Sequence, residues 1–147
     1  MPIYDAKAFA AMEADGNYKL TADITVKTPY KNVFTGTFDG DGHTVTLDIT
    51  GTGANTGLFS VLGGGATVKN VITAGEIEAS SYSNVGGIAG KADTSDGSIT
   101  IEKCKNTATV SGKEAVGGIL GNCAESTNSV TIKECANTAN ITGSNNK

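Results

Sequence analysis

The residues best suited to chemistry are two aspartates and a histidine in one short segment. Asp39 and Asp41 lie in FDGDGH, and the single histidine, His43, ends this segment. Closely spaced carboxylates can act as an acid–base pair or bind Ca²⁺ through their oxygens. Asp-Gly steps are also typical of tight turns, and Thr50 stands where an EF-hand loop needs its last carboxylate. We therefore predict a turn, with His43 as a structural residue.

Glycines and glutamates supply two further candidates. Gly63, Gly64 and Gly65 have the composition of a phosphate loop, but neither a G-K-[ST] ending nor a helix follows them. We interpret this run as a corner between strands. Glu76 and Glu78 share one face of a predicted strand, and no arginine accompanies them because the chain has none. Without a second carboxylate at glycosidase separation, we interpret both as surface charges.

A repeat of 31 residues organises the chain. VGGIAGKADTSDGSITIEKCKNTATVSG, from Val85, aligns without a gap with VGGILGNCAESTNSVTIKECANTANITG, from Val116. Residues 57–83 form a degenerate copy with three loop residues missing, so its offset to the next copy grows from 30 to 33. Short β-branched runs separated by Gly and Asn are typical of a stacked solenoid.

Each full repeat contains three strand candidates, which predicts an all-β, right-handed parallel β-helix with coils about 4.8 Å apart. Upstream, YKLTADITV alternates like a half-buried strand, and FTGTFDGDGHTVTLDITG has the pattern of strand, tight turn and strand. Val45, Leu47 and Ile49 should share one face of that second strand. Asn106 and Asn137 suit left-handed corner positions.

The N-terminal segment predicts a single helix over 5–15, DAKAFAAMEAD, with Asp5 as N-cap and Gly16 as the C-terminal stop. We expect it to close the first coil, because an exposed sheet edge pairs readily with other strands. The predicted organisation is a capping helix at 1–17 and about four coils at 18–147, in one domain. The ending GSNNK offers no cap, and we expect a segment of a longer protein.

Side chains one period apart should lie above one another. The predicted vertical pairs are Ile88 with Ile119, Ile101 with Ile132, Val110 with Ile141, and Cys104 with Cys135. Each buried Val or Ile contributes roughly 1.5–3 kcal/mol, so Ile101→Asp should unfold the domain while a change at Thr100 should not. Parallel Cβ vectors about 4.8 Å apart are too far for a disulfide. We predict buried thiols at Cys104 and Cys135, and an exposed, oxidisable thiol at Cys123.

Composition argues against several functions. Eleven Lys, no Arg and fifteen Asp+Glu give a net charge of −4, which disfavours binding to nucleic acid. No apolar run approaches the roughly 20 residues that span a bilayer, so we expect no membrane insertion. No C-x-x-C pair or other ligand set is present, and we expect neither a metal nor a cofactor. No signal peptide is visible, so an exported form would be a mature segment.

The motifs together resemble a known family. FTGTFDGDGHTVTLDI, GLFSVLGGGATVKNV and VGGIAG followed by I-x-x-C-x-N-T-A-x-V-x-G are similar to GLUG-motif repeats, and the resemblance covers 18–147. Such repeats occur in large bacterial surface and secreted proteins, including adhesin-like proteins and immunoglobulin A-specific metalloproteases. The resemblance implies a β-helical segment outside any catalytic part, since one histidine cannot form H-E-x-x-H.

We therefore expect a non-enzymatic structural or adhesion module, extracellular or on the cell surface, that acts as a rigid spacer or a binding surface. A host protein, matrix protein or glycan would meet a β-face or the loops at 79–84, 91–98 and 122–129. Tyr82 is the aromatic residue in those loops that could stack on a sugar. The open C-terminal coil would permit end-to-end self-association.

Two alternatives remain open. The first is a carbohydrate-active β-helix enzyme or a glycan-binding domain. The enzyme would need a groove lined with carboxylates and basic groups over several coils, whereas the chain offers only scattered acids and no Arg. The second is an ice-binding protein, suggested by threonine pairs spaced i, i+2. These pairs are Thr35/Thr37, Thr44/Thr46 and Thr107/Thr109. The regularity breaks where Thr109 is replaced by Asn140 in the next copy and where Glu78 should lie nearby.

Overall fold

The chain folds as a parallel β-solenoid, seen in a computed structural model that describes residues 1–124 and 128–144. One short helix, α1, spans Ala6–Ala10. The strands are β1 Pro2–Ile3, β2 Asn17–Leu20, β3 Ile24–Val26, β4 Thr37–Asp39, β5 Thr44–Thr50, β6 Phe59–Gly63, β7 Thr67–Lys69, β8 Ile72–Ala79, β9 Val85–Gly86, β10 Ala89–Asp93, β11 Ile99–Glu102, β12 Lys105–Asn106, β13 Thr109–Gly112, β14 Val116–Gly117, β15 Leu120–Cys123, β16 Val130–Lys133, β17 Ala136–Asn137 and β18 Ile141–Gly143.

Three sheets form the sides of the solenoid. Face A has the order β1-β2-β4-β7-β11-β16, face C has β15-β10-β6, and face B contains β3, β5, β8, β12, β13, β17 and β18. A small ladder of β9 and β14 lies between faces B and C along the chain. Three turns, 37–63, 67–93 and 99–123, carry strands on all three faces, and partial turns at 17–34 and 130–143 flank them. The partial turn 130–143 is called the terminal coil below.

Strand register confirms the repeat. Val85 pairs with Val116 and Ile101 with Ile132, in parallel and 31 residues apart. The degenerate copy also pairs as predicted: Ala89 lies beside Phe59 at an offset of 30, and Thr100 beside Thr67 at an offset of 33. The loop deletion is absorbed at the corner between faces C and A, so the register is undisturbed on both sides of it.

Corners divide two segments that the sequence suggested were continuous. YKLTADITV is not one strand, because it bends at 21–23 and supplies β2 to face A and β3 to face B. The turn after Asp39 is likewise a corner, since β4 and β5 lie in different sheets and do not pair as a hairpin. Val45, Leu47 and Ile49 all point inward, as predicted.

The predicted left-handed role of Asn106 and Asn137 is wrong. Positive φ occurs instead at Asn70, Lys103 and Glu134, which are equivalent positions at the corner between faces A and B. Asn106 and Asn137 lie one above the other in face B. The Asn106 side chain is buried inside the solenoid wall, whereas Asn137 is exposed at its open end. They were misassigned because asparagine suits both a left-handed corner and a stacked internal amide.

These stacked amides form a hydrogen-bonded ladder, here called the asparagine ladder. Thr73 Oγ1 donates to Asn106 Oδ1 at 2.7 Å, and Asn106 Nδ2 donates to Asn137 Oδ1 at 2.8 Å. Asn106 also bonds the backbone N–H and C=O of Ala108. Asn106 is fully buried, and a buried amide costs stability unless it is bonded in this way.

The N-terminal helix closes the first coil, as predicted, but it is shorter. Asp5 is the N-cap and its carboxylate accepts from Ala8 N at 2.8 Å. The helix ends at Ala10 rather than before Gly16, because Met12 turns inward and its carbonyl accepts the Tyr30 hydroxyl at 2.6 Å. β1 precedes α1 and pairs with β2, so residues ahead of the helix already belong to face A.

Aromatic rings fill the core beneath this cap. Phe9 lies at centroid distances of 5.8 Å from Tyr30 and 5.7 Å from both Phe38 and Phe59, in edge-to-face geometry. Phe34 completes the cluster, 5.0 Å from Phe59. Edge-to-face pairs contribute roughly 0.5–1.5 kcal/mol beyond their buried area. The wide rings therefore close this end of the core, while Val, Ile and Ala line the later coils.

The two ends of the core differ. Ile101 is 0% exposed, but Ile132, directly above it, is 45% exposed. The same column begins with Tyr18 and the buried residues Phe38 and Val68. No described element covers the apolar side chains of the terminal coil.

This difference makes Ile101 and Ile132 a matched pair for mutation. Ile101→Ala should lower the free energy of unfolding by about 2–5 kcal/mol, because it leaves a cavity in closed packing. Ile132→Ala removes a side chain that is already half in solvent, so the expected loss is under about 1 kcal/mol. Urea unfolding followed by circular dichroism measures both values. Equal losses would show that the terminal coil is covered in solution.

Candidate functional site

Asp39, Asp41 and His43 lie at one corner and serve its geometry. Asp39 Oδ1 accepts hydrogen bonds from Asp41 N at 2.8 Å and from Asn70 Nδ2 at 3.1 Å. Asp41 adopts φ of +50°, a left-handed conformation that aspartate tolerates in turns. The predicted turn is confirmed, and Asn70 from the next coil locks it to its neighbour.

Local hydrogen bonds act on the carboxylate of Asp39. Partial burial acts to raise the pKa of Asp39, but hydrogen bonds from Asn70 and Asp41 N, with nearby Lys69 and Lys19, hold it below the usual value. These interactions therefore contribute to the free energy of unfolding at pH values above the pKa of Asp39 in the unfolded chain. The contribution is lost as the pH falls through the lower pKa of Asp39 in the folded protein.

His43 is held by a carboxylate from the preceding coil. Its Nδ1 lies 3.2 Å from Asp23 Oδ1, and the same oxygen accepts from Thr44 N at 2.9 Å. The pKa of Asp23 is lowered, chiefly by the Thr44 N–H and then by His43. Within the described residues, no group of three or more His, Cys, Asp or Glu could hold a metal ion.

The three thiols differ in exposure, and Cys135 is less buried than predicted. Cys104 is buried, Cys135 is half-buried above it, and Cys123 is exposed; all three are free. The Cys104 thiol donates to the carbonyl of Val68 at 3.7 Å, and the Cys135 thiol to that of Ile101 at 3.6 Å, each in the preceding coil. Burial raises the pKa of Cys104 to about 12.

The remaining candidates have structural positions. Gly63 ends β6, and Gly64 and Gly65 form the corner to β7, as predicted, with Gly65 at φ of +94°. Glu76 and Glu78 are exposed on face B. The structure corrects one neighbour: Thr109 pairs with Glu76, while Glu78 lies beside Ser111.

The loop aromatic Tyr82 is less available than predicted. Its ring is partly buried, packs against the core and lies close to Gly51. Its carbonyl accepts from Lys113 N at 2.8 Å, which ties the loop to the next coil. Of the predicted binding loops, 122–129 includes residues 125–127, which lie outside the described residues.

Face A carries two outward columns that the sequence analysis missed. One contains Thr37, Thr67, Thr100 and Thr131, and is called the threonine column. The other contains Lys19, Asp39, Lys69, Glu102 and Lys133, and is called the charge column. Charge alternates in sign along it, and Lys133 Nζ lies 3.5 Å from Glu102 Oε2. Opposite charges at neighbouring strand positions stabilise a sheet, so this column reinforces the register.

Two clefts lie on either side of segment 27–31 at the N-terminal end. The larger one, about 760 Å³, is bounded by α1 and residues 25–32. The smaller one, about 440 Å³, is bounded by 27–31, 50–56 and 60–61. Tyr30 anchors the segment between them, because its ring is buried and its hydroxyl is bonded to Met12.

The clefts are basic although the chain is acidic. Lys7, Lys27 and Lys31 line the larger cleft, and the latter two also line the smaller one. None of the described residues lining either cleft is Asp or Glu, whereas the chain has 15 acidic and 11 basic residues. Hydroxyl groups of Thr28, Thr52 and their neighbours line the smaller cleft beside these ammonium groups. Such a surface favours an anionic, hydroxylated ligand.

Comparison with protein-family models, curated proteins and solved structures found no match. In the described part of the chain, no helix has the length and apolar character needed to cross a membrane.

The thiols give a direct test of these positions. With Ellman's reagent at pH 8, Cys123 should react first and Cys104 should react only on unfolding, because burial blocks access and disfavours its thiolate. Cys123→Ser should remove the fast phase and leave the rest unchanged. Cys104 reacting as fast as Cys123 in the folded protein would contradict the structure.

Proposed function

We propose that this chain is a non-enzymatic structural and adhesion module of a bacterial cell-surface or secreted protein, similar to GLUG-motif repeat regions. The observation that carries the proposal is the in-register stack: equivalent residues pair from coil to coil on every face, and polar side chains cover the outside. A stack in which each coil contacts only its neighbours suits a rigid spacer.

The surface also suits contact with a partner. Face A presents hydroxyl and charged groups in columns repeated about every 4.8 Å. Because these side chains stand on a sheet rather than on loops, the protein backbone loses little conformational entropy when a ligand binds. A host protein, matrix protein or glycan could contact this face without any rearrangement of the fold.

Glycan binding is a second candidate, favoured by the basic clefts. Lys27 and Lys31 flank the anchored Tyr30 and face no carboxylate among the lining residues described above. A carboxylated or sulfated sugar would supply the negatively charged partner that these ammonium groups lack in the clefts. Its hydroxyl groups could hydrogen-bond to Thr28 and Thr52.

A glycan array can test adhesion and charge preference together. We expect binding to acidic saccharides that weakens with added salt, and a three- to tenfold loss (about 1 kcal/mol) in Lys27→Ala/Lys31→Ala, because two exposed ion-pair partners are removed. Lys105→Ala, on exposed face B, is the matched control and should bind normally.

A blank array, together with no attachment to host cells or matrix proteins, would remove the adhesion role and leave the spacer role. If Lys27→Ala/Lys31→Ala bound acidic saccharides as tightly as the unchanged protein, the binding site would lie outside the clefts. Turnover of a polysaccharide by the purified chain would overturn the non-enzymatic assignment.

A further inference from the structure

The C-terminal end of the solenoid, which consists of residues 116–123 and the terminal coil, exposes a set of side chains whose equivalents one period earlier are buried. Ile132 is 45% exposed above fully buried Ile101. The other half-buried apolar residues at this end are Val116, Ile119, Leu120, Val130, Cys135 and Ile141. Their equivalents one period earlier are Val85, Ile88, Ala89, Ile99, Cys104 and Val110, all buried. The end of the core is therefore shaped like an interior layer.

Backbone pairing is also open on this side. β16 is the last strand of face A, and β17 and β18 are the last along face B. Each has a neighbour in the preceding coil only, among the strands of the described residues. An edge of this kind pairs with an added strand through main-chain hydrogen bonds.

The charge column specifies what should lie above Lys133. Signs alternate without exception through Lys19, Asp39, Lys69, Glu102 and Lys133. Lys133 already contacts Glu102 below it and remains exposed above. An acidic residue at the next position would continue the pattern, and a basic residue would place like charges side by side.

The asparagine ladder gives the docking surface a direction. Hydrogen bonds run from Thr73 to Asn106 and from Asn106 to Asn137, with the donor always in the earlier coil. Asn137 uses one amide hydrogen on the carbonyl of Ala139. Its second has no partner among the described residues, so the ladder offers a donor to whatever lies above it.

A second copy of the chain does not satisfy these requirements. At its N-terminal end, α1 covers the core with the buried ring of Phe9, and the edge strand β1 begins with Pro2, which lacks a backbone N–H. Head-to-tail stacking is therefore disfavoured. A tail-to-tail dimer would bring the donor ends of two asparagine ladders to the same interface. A parallel coil avoids both problems.

We propose that the terminal coil is a docking surface for one further parallel β-solenoid coil of the same repeat pattern. That coil places an acidic residue over Lys133, apolar residues over Ile132 and Ile141, and a side-chain oxygen over Asn137. The inference rests on the proposed structural role and deepens it by naming the partner chemistry.

The chain itself supplies a suitable coil for the test. In the extended protein, residues 1–144 are followed by a second copy of 83–113, which aligns the copied Glu102, Ile101 and Asn106 with Lys133, Ile132 and Asn137. We expect a higher Tm than for the unextended chain and at least about tenfold slower amide exchange at 131–133, because those amides become interior.

The matched control carries Glu102→Lys in the copied coil only, which places two ammonium groups together. It should lose part of the gain in Tm, while Glu102→Gln in the copy should give an intermediate value. The proposal would be overturned if residues 131–133 exchanged as fast in the extended protein as in the unextended chain, and if the amides of the copied coil showed no protection from exchange. Equal Tm values for the Glu and Lys versions would overturn the acidic preference.

Light scattering of the unextended chain over a range of concentrations tests whether a second copy of the chain binds this surface instead. We expect a monomer, with Ile132 accessible to exchange. A dimer in which amide exchange at 131–133 is slowed would contradict the proposal, because the occupant of this surface would then be a second copy of the chain. These readouts concern folding alone, so they are independent of the glycan and cell-binding assays that test adhesion.

Discussion

Register between neighbouring coils is the constraint on which the rest of the structure depends. Once Val68, Ile101 and Ile132 lie in one column, every other residue of those strands is fixed on an inner or outer face. A slip of one residue would bring threonine into the core and isoleucine to the surface. Beyond the aromatic cluster under the cap, the core of the described coils is a thin layer of stacked aliphatic side chains, so its stability depends on their alignment. Its stability and its surface chemistry are therefore set by the same alignment.

Several interactions outside the core act on that alignment. The asparagine ladder pairs only when Asn106 and Asn137 are directly stacked, and the charge column places opposite signs together only in this register. A second amide pair, Asn84 Nδ2 donating to Asn55 Oδ1 at 2.8 Å, holds the left-handed residues of another corner. Single contacts of this kind contribute little on exposed surfaces. Distributed over several coils, they disfavour alternative registers.

The exact repeat allowed much of this to be predicted. Offsets of 31, and of 30 changing to 33, were readable from the sequence because the three missing loop residues leave the paired strands intact. Corners were harder: the left-handed residues Lys103 and Glu134 have no intrinsic preference for that conformation, so neighbouring coils must impose it. The charge column was readable in principle, since Lys69, Glu102 and Lys133 follow the repeat offsets. The basic clefts were not, because segment 27–31 matches no part of the repeat.

The central claim is that equivalent residues of successive coils pair in parallel. Nuclear Overhauser effects between backbone protons test it most directly, because parallel neighbours give interstrand contacts in a characteristic pattern at about 4.8 Å strand spacing. The structure predicts a continuous series of contacts linking Val68 to Ile101 and Ile101 to Ile132. Contacts between Asp39 and Thr44 as an antiparallel hairpin, with none between Ile101 and Ile132, would contradict the solenoid.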